Sequence, residues 1–187
     1  MFEVPAAEGA GLFGSINDAW QAPLVDVGPE GADEGRGARY LLLPPGYEGD
    51  EPDGYIVVRS STYNAYSILR AIAEGSTEAD IARAIGLVRK LRCYPLAEAA
   101  SPPQQRHIDI AGKPFDGIAA FDDSFFDALA RMIDEEPVQE RDLAMMGLIG
   151  AIGIEKGQLF RRIPRRARPL ELPRPRLTLG WWRRLPM

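Results

Sequence analysis

Few side chains in this sequence could do chemistry, and their spacing narrows what they could do. There is one cysteine, Cys93, and one histidine, His107. No intrachain disulfide can form, and a Cys/His zinc cage, which needs about four ligands, is out of reach. A Cys/His pair would also need a third group to orient it, and none is marked by the sequence. Cys93 follows a helical stripe and reads as a small buried hydrophobe, while His107 falls in a polar loop. Asp122/Asp123 and Asp134/Glu135/Glu136 have the chemistry of metal ligands or an acid–base pair. The first pair stands where a helix N-cap is expected and the second group on a polar end before Pro137. Capping and solvated surface are therefore the better readings. Gly31-x-x-x-Gly35-x-Gly37-x-Arg39 could cradle a phosphate, but it lacks a Gly-Lys-Ser/Thr ending and follows no strand, so a flexible loop is expected. The set with most chemical content is Asp18, Trp20, Asp26, Arg59 and Tyr63. Its aromatic faces and Asp/Arg groups suit stacking and bidentate hydrogen bonds to a sugar or other small polar ligand. A packed Trp beside a structural ion pair is the competing explanation. No catalytic residue, cofactor or metal is assigned.

The elements that must position these residues divide into a strand-rich part and a helical part. Residues 1–37 read as loop-rich, with a short amphipathic turn from Ser15 to Trp20. Runs at 38–43 and 55–59 are predicted strands, and the Gly/Pro/Asp segment between them predicts an antiparallel hairpin. A third run spans Asn64 to Ala71, with Tyr66 and Ile68 on one face. Repeated short strands favour a sandwich over a βαβ sheet. Ser76 or Thr77 should cap a helix reaching about Leu91, with Ile81, Ile85, Val88 and Ala84 facing the core. After a linker, one helix starts at Asp122–Ser124 and stops before Pro137. A second runs from about Gln139 to Ile152, where Gly147 and Gly150 suggest close helix contact and Gly153 a C-terminal turn. The expected organisation is α+β: a partial antiparallel sandwich with one helix over 1–100, a linker over 101–114, a helical hairpin over 115–160 and a basic tail over 161–187.

Charge sharpens that division. The 187 residues sum to −5, yet residues 1–160 carry 13 basic and 26 acidic side chains, while residues 161–187 carry nine Arg and one Glu. An acidic body of net −13 is a poor polyanion binder, so no nucleic-acid partner is expected for residues 1–160. The second helix, where Glu140 and Asp142 flank Arg141, is not a recognition helix either. The tail, with Trp181-Trp182-Arg183-Arg184, could stack on bases, lie on an anionic membrane or fold back on the acidic body. Its five Pro, absence of Lys and lack of periodicity fit out-of-frame translation better. No apolar run approaches the roughly 18 residues of a membrane span, and Met1–Pro5 lacks the basic and apolar regions of a secretory signal.

Four stretches carry a family resemblance: Phe13-Gly14-Ser15-Ile16-Asn17-Asp18-Ala19-Trp20 with Pro23 to Gly28; Tyr40-Leu41-Leu42-Leu43-Pro44-Pro45-Gly46-Tyr47; Asp53 to Ser60; and Ser124-Phe125-Phe126 through Glu136-Pro137 to Gly157. From about Phe13 to Phe160 the chain resembles the bacterial family called domain of unknown function 1254. The resemblance implies an immunoglobulin-like sandwich followed by a small helical domain. It also implies a larger periplasmic or exported protein with further strands, an export signal and a second β domain. Against that pattern the chain reads as a fragment, starting near an internal strand at Phe2-Glu3-Val4 and departing after Phe160. The expected role is binding or assembly, with a small polar ligand or self-association as partners. The alternative is a hydrolase-like enzyme acting on a carbohydrate or small polar substrate through Asp18, Asp26 and Arg59. The lack of a nucleophile–base motif favours the first.

Overall fold

The computed structural model describes residues 1–114, 117–119 and 121–161; the basic tail from Arg162 onward lies outside them. Short runs of apolar and β-branched residues, with some alternation, build strands β1 (Phe2–Val4), β2 (Ala10–Asp18), β3 (Pro23–Val27), β4 (Ala38–Leu43), β5 (Ile56–Arg59), β6 (Ala65–Ala73) and β7 (Arg92–Cys93). They form two sheets, ordered β5-β4-β1-β7 and β3-β2-β6. The protein is thus a mixed α+β chain, and among the described residues every strand pair is antiparallel except one.

That exception corrects the expected hairpin. β4 and β5 pair in parallel, with Tyr40 opposite Ile56 and Leu43 opposite Arg59. The segment from Pro44 to Tyr55 is long enough to carry the chain back to the same end of the sheet, which a tight turn cannot do. The glycine-rich N-terminal region is also more ordered than expected, because β2 absorbs Gly11 and Gly14. At Gly14 the backbone of β6 comes so close that a Cβ would strike the Ile68 carbonyl, so glycine here serves strand pairing.

The core takes side chains from nearly every element: Val4, Leu12, Ile16, Val27, Tyr40 and Val58 from the sheets, and Ala84 and Leu87 from helix α1 (Glu78–Val88). Thr77 caps α1 in a reciprocal box, its hydroxyl accepting from the Asp80 N–H at 3.2 Å while the Asp80 carboxylate accepts from the Thr77 N–H at 3.0 Å. Of the residues expected to face the core, Ala84 does, but Ile81, Ile85 and Val88 are 49%, 46% and 38% exposed. At about 100° per residue they lie roughly a quarter-turn from Ala84 and Leu87. The sheet covers only one flank of a wide apolar surface. The helix also ends three residues before Leu91, and Arg92–Cys93 becomes edge strand β7. Cys93 there is exposed rather than buried, and its N–H donates to Gln105 Oε1 at 2.8 Å.

Helix α2 (Ser124–Glu135) begins where expected, with Asp122 Oδ1 accepting from the Ser124 N–H at 2.8 Å. A 3-10 turn, Glu140–Asp142, leads into α3 (Leu143–Gly150). The chain leaves α3 through Gly153 at φ +84. The close contact expected at Gly147 is absent, since a Cβ there would meet nothing within 4 Å. Leu143, Met145 and Leu148 of α3 are all exposed. No described helix is long and apolar enough to cross a membrane.

Candidate functional site

The residues singled out from the sequence lie in three places. Asp18, at the end of β2, is buried, and its Oδ1 accepts from the Trp20 and Ala22 N–H groups, both at 2.9 Å. It holds the β2–β3 turn, in which Gln21 adopts φ 65. The indole Nε1 of Trp20 is buried and has no hydrogen-bond partner among the described residues. Ser61 Oγ reaches Asp18 Oδ2 at 3.4 Å, tying this turn to the bend after β5. Tyr63 belongs to that bend; its ring is exposed while its N–H donates to Glu136 Oε2 at 2.6 Å. Arg59, just before the bend, pairs with Glu51 and donates to the Tyr47 carbonyl at 3.4 Å. Asp26 lies on β3 and accepts from Ser15 Oγ at 2.6 Å. Asp18 and Trp20 thus share one turn, which Ser61 and Thr62 join to the bend carrying Tyr63, whereas Arg59 and Asp26 each engage separate partners.

Glu136 is the residue that sequence reasoning placed wrongly. It is 1% exposed, not solvated. Besides the Tyr63 N–H, it accepts from the Asn64 N–H at 3.0 Å and Asn64 Nδ2 at 2.7 Å. Thr62 completes the knot, accepting from the Ala19 N–H at 3.0 Å and donating to the Asn64 carbonyl at 2.7 Å. Lys156 Nζ donates to the Glu136 carbonyl at 2.9 Å and the Ile133 carbonyl at 3.3 Å, where the C-terminal carbonyls of α2 need donors. With three hydrogen bonds on its two oxygens, Glu136 is a clamp between α2 and the sheet region. Nothing in the sequence around Glu136 marks Tyr63 and Asn64 as its partners.

The glycine loop before β4 is organised rather than flexible. Asp33, 4% exposed, accepts from the Gly28 N–H at 2.6 Å, the Gly37 N–H at 3.1 Å and Tyr40 Oη at 3.0 Å. These amides face an internal carboxylate, so they do not form a phosphate cradle. Burial, then the Asp33 hydrogen bond, pushes the Tyr40 phenol above its ordinary range.

The outer face of the β5-β4-β1-β7 sheet gathers charge and aromatic surface. Glu3 on β1 stands opposite Arg39 on β4 and Arg92 on β7. The Arg39 guanidinium lies 4.8 Å from the Tyr55 ring centroid, and that of Arg92 lies 5.6 Å from Tyr94. Tyr94 Oη donates to Glu3 Oε1 at 2.5 Å, and Arg92 Nη1 is 3.9 Å from Glu3 Oε2. Burial, then the Glu3 hydrogen bond, pushes the Tyr94 phenol up to about 12. Glu3, Arg39, Tyr55 and Lys90 line an open cleft of about 660 Å³. Residues 3, 39 and 55 were visible singly as polar or aromatic positions beside strands, but only strand pairing sets them side by side.

Two sheets, a few helices, turns held by buried carboxylates and a charged aromatic sheet face define a mixed α+β protein. A family model described as "Protein of unknown function (DUF1254)" matches residues 1–95. The chain belongs to that family. The crystal structure of the VPA0106 protein from Vibrio parahaemolyticus is similar in fold, with a TM-score of 0.62 and 14% sequence identity. The similarity covers 87% of this chain and 39% of that one, so this chain spans well under half of that relative. No curated protein matches.

Proposed function

We propose that this chain is a non-catalytic binding and assembly part of a larger exported protein, whose further polypeptide covers its apolar outer faces. The observation that carries this reading is a set of apolar surfaces without partners among the described residues. Phe13, Ile68 and Ile72 lie on the outer side of the β3-β2-β6 sheet, Ile81, Ile85 and Val88 on α1, and Leu143, Met145 and Leu148 on α3. Exposed apolar side chains grouped on single faces in this way mark interaction sites, although Arg70, opposite Phe13, shares the sheet face. β6 adds an edge of nine residues containing one charge and no proline, the kind of edge proteins ordinarily protect. The greater length of the similar solved chain supports further polypeptide as the occupant.

In this reading the two sheets are halves of an immunoglobulin-like sandwich over residues 1–100, residues 101–114 are a linker, and 115–160 form a helical unit. The shared core of both sheets supports the sandwich, and the Glu136 clamp supports a fixed connection to α2. The hydrolase alternative needs Asp18, Asp26 and Arg59 to face one substrate. Their separate hydrogen-bond partners favour structural roles instead.

The test compares the isolated chain with a longer family protein containing it. Expected are strong binding of an apolar dye by the isolated chain, and slow amide exchange across β6 only in the longer protein. A monomeric isolated chain without dye binding would overturn the reading. A discrete dimer protecting β6 would reassign that face to a second copy.

A further inference from the structure

We propose that the cleft on the outer face of the β5-β4-β1-β7 sheet binds an oxyanion, a carboxylate or phosphate group carried on a small organic molecule. The observation is an unpaired cation where pairing would be easy. Residues 1–160 hold twice as many acids as bases, 26 against 13. Arg36, Arg59, Arg83, Arg92 and Arg141 each have a carboxylate within 4.0 Å. Arg39, like Arg70, Arg89, Arg106 and Arg131, has none among the described residues; what sets it apart is that Glu3 stands directly opposite it on β1. Glu3 also lines the cleft, but its carboxylate is engaged by the Tyr94 hydroxyl at 2.5 Å and lies 3.9 Å from Arg92 Nη1. Lys90, on the same cleft, also lacks a carboxylate partner among the described residues.

Arg39 is held ready rather than loose. Its guanidinium lies over the face of Tyr55, which fixes its plane and leaves N–H edges for a planar or tetrahedral oxyanion. Gly54, at φ +86, makes room for it, since a Cβ there would lie 3.1 Å from Arg39 Nη2. Pro5 and the Tyr55 ring supply apolar surface for the body of the ligand, while Val4 and Ile56, which also border the cleft, pack into the core. The cleft, about 660 Å³, is of the size that takes small organic molecules. Arg39 would bind the oxyanion through its fork and Lys90 would add a second positive charge. This inference stands apart from the assembly reading, which concerns other faces.

The experiment follows backbone amide resonances of the full 187-residue chain on titration with sodium benzoate, inorganic phosphate and benzyl alcohol. Saturable shifts at residues 37–39 and 54–56 with benzoate or phosphate are expected. The stronger of the two identifies the source as carboxylate or phosphate. Arg39→Gln should weaken that response at least about ten-fold, and Lys90→Gln should weaken it less. Should the spectrum show Arg39→Gln misfolded, Arg39→Lys, which keeps the charge and removes the fork, should still lose affinity several-fold. The proposal is overturned by no response, by an equal response to benzyl alcohol, by shifts confined to the Arg-rich residues 161–187, or by binding unchanged in the Arg39 variants.

Discussion

Asp33 shows at the level of one side chain why a polar residue in a glycine loop is easy to misread. Its three donors come from Gly28, Gly37 and Tyr40, and nothing in the local sequence marks them as partners. Asp33→Ala strands two amides and a phenol, so urea unfolding should show a loss of roughly 3 kcal/mol, against about 1 kcal/mol for Tyr40→Phe. Tyr94 gives a second prediction. Burial and Glu3 favour its neutral form, so the folded chain keeps a proton the unfolded chain gives up near pH 10. That contribution is complete below about pH 10 and is lost as pH rises through about 12. In an absorbance titration the last tyrosines should ionise together with the loss of circular dichroism, and Tyr94→Phe should reduce this alkaline loss. Asp18 was expected as a ligand-binding residue, although its part in the turn was more legible. Its donors lie two and four residues on, a local pattern typical of aspartate in turns. Glu136 was not, because Tyr63 and Asn64 stand 73 and 72 residues away.

At the scale of elements, the sequence marked where strands and helices lie better than how they pair. β4, β5, β6 and α2 follow from runs of apolar and β-branched residues and from capping groups, all local signals. The parallel β4–β5 pairing depends on where a polar segment ends in space, which no local pattern encodes. α1 failed differently: its apolar surface is wider than one stripe, and periodicity alone does not say which flank meets a sheet. The join between α2 and the sheet region can be tested directly. In Glu136→Gln the side-chain amide cannot accept from the Tyr63 N–H, while the remaining oxygen can still serve Asn64. Hydrogen exchange at the Tyr63 amide should accelerate markedly and that at Asn64 less, with a stability loss of about 1–3 kcal/mol. Equal exchange in both proteins would show that the clamp does not hold this bend.

For the whole molecule, the net charge of −5 averages an acidic body and a basic tail, and the apolar total likewise averages a core and exposed stripes. Composition therefore looks ordinary while the surface does not. Whether the stripes belong to this chain's own stability can be decided by substitution on adjacent flanks of α1. Leu87 is 3% exposed and sits in the core, so Leu87→Ala should cost about 2–5 kcal/mol. Ile85, 46% exposed, should tolerate Ile85→Lys within about 0.5 kcal/mol in the isolated chain, as surface positions do. The same change should lower dye binding and aggregation of the isolated chain. In a longer family protein that covers the stripe, it would bury an unpaired ammonium and should be strongly destabilising. A substitution harmless in the part and damaging in the whole would locate the interface on α1; equal tolerance in both would leave that stripe to solvent.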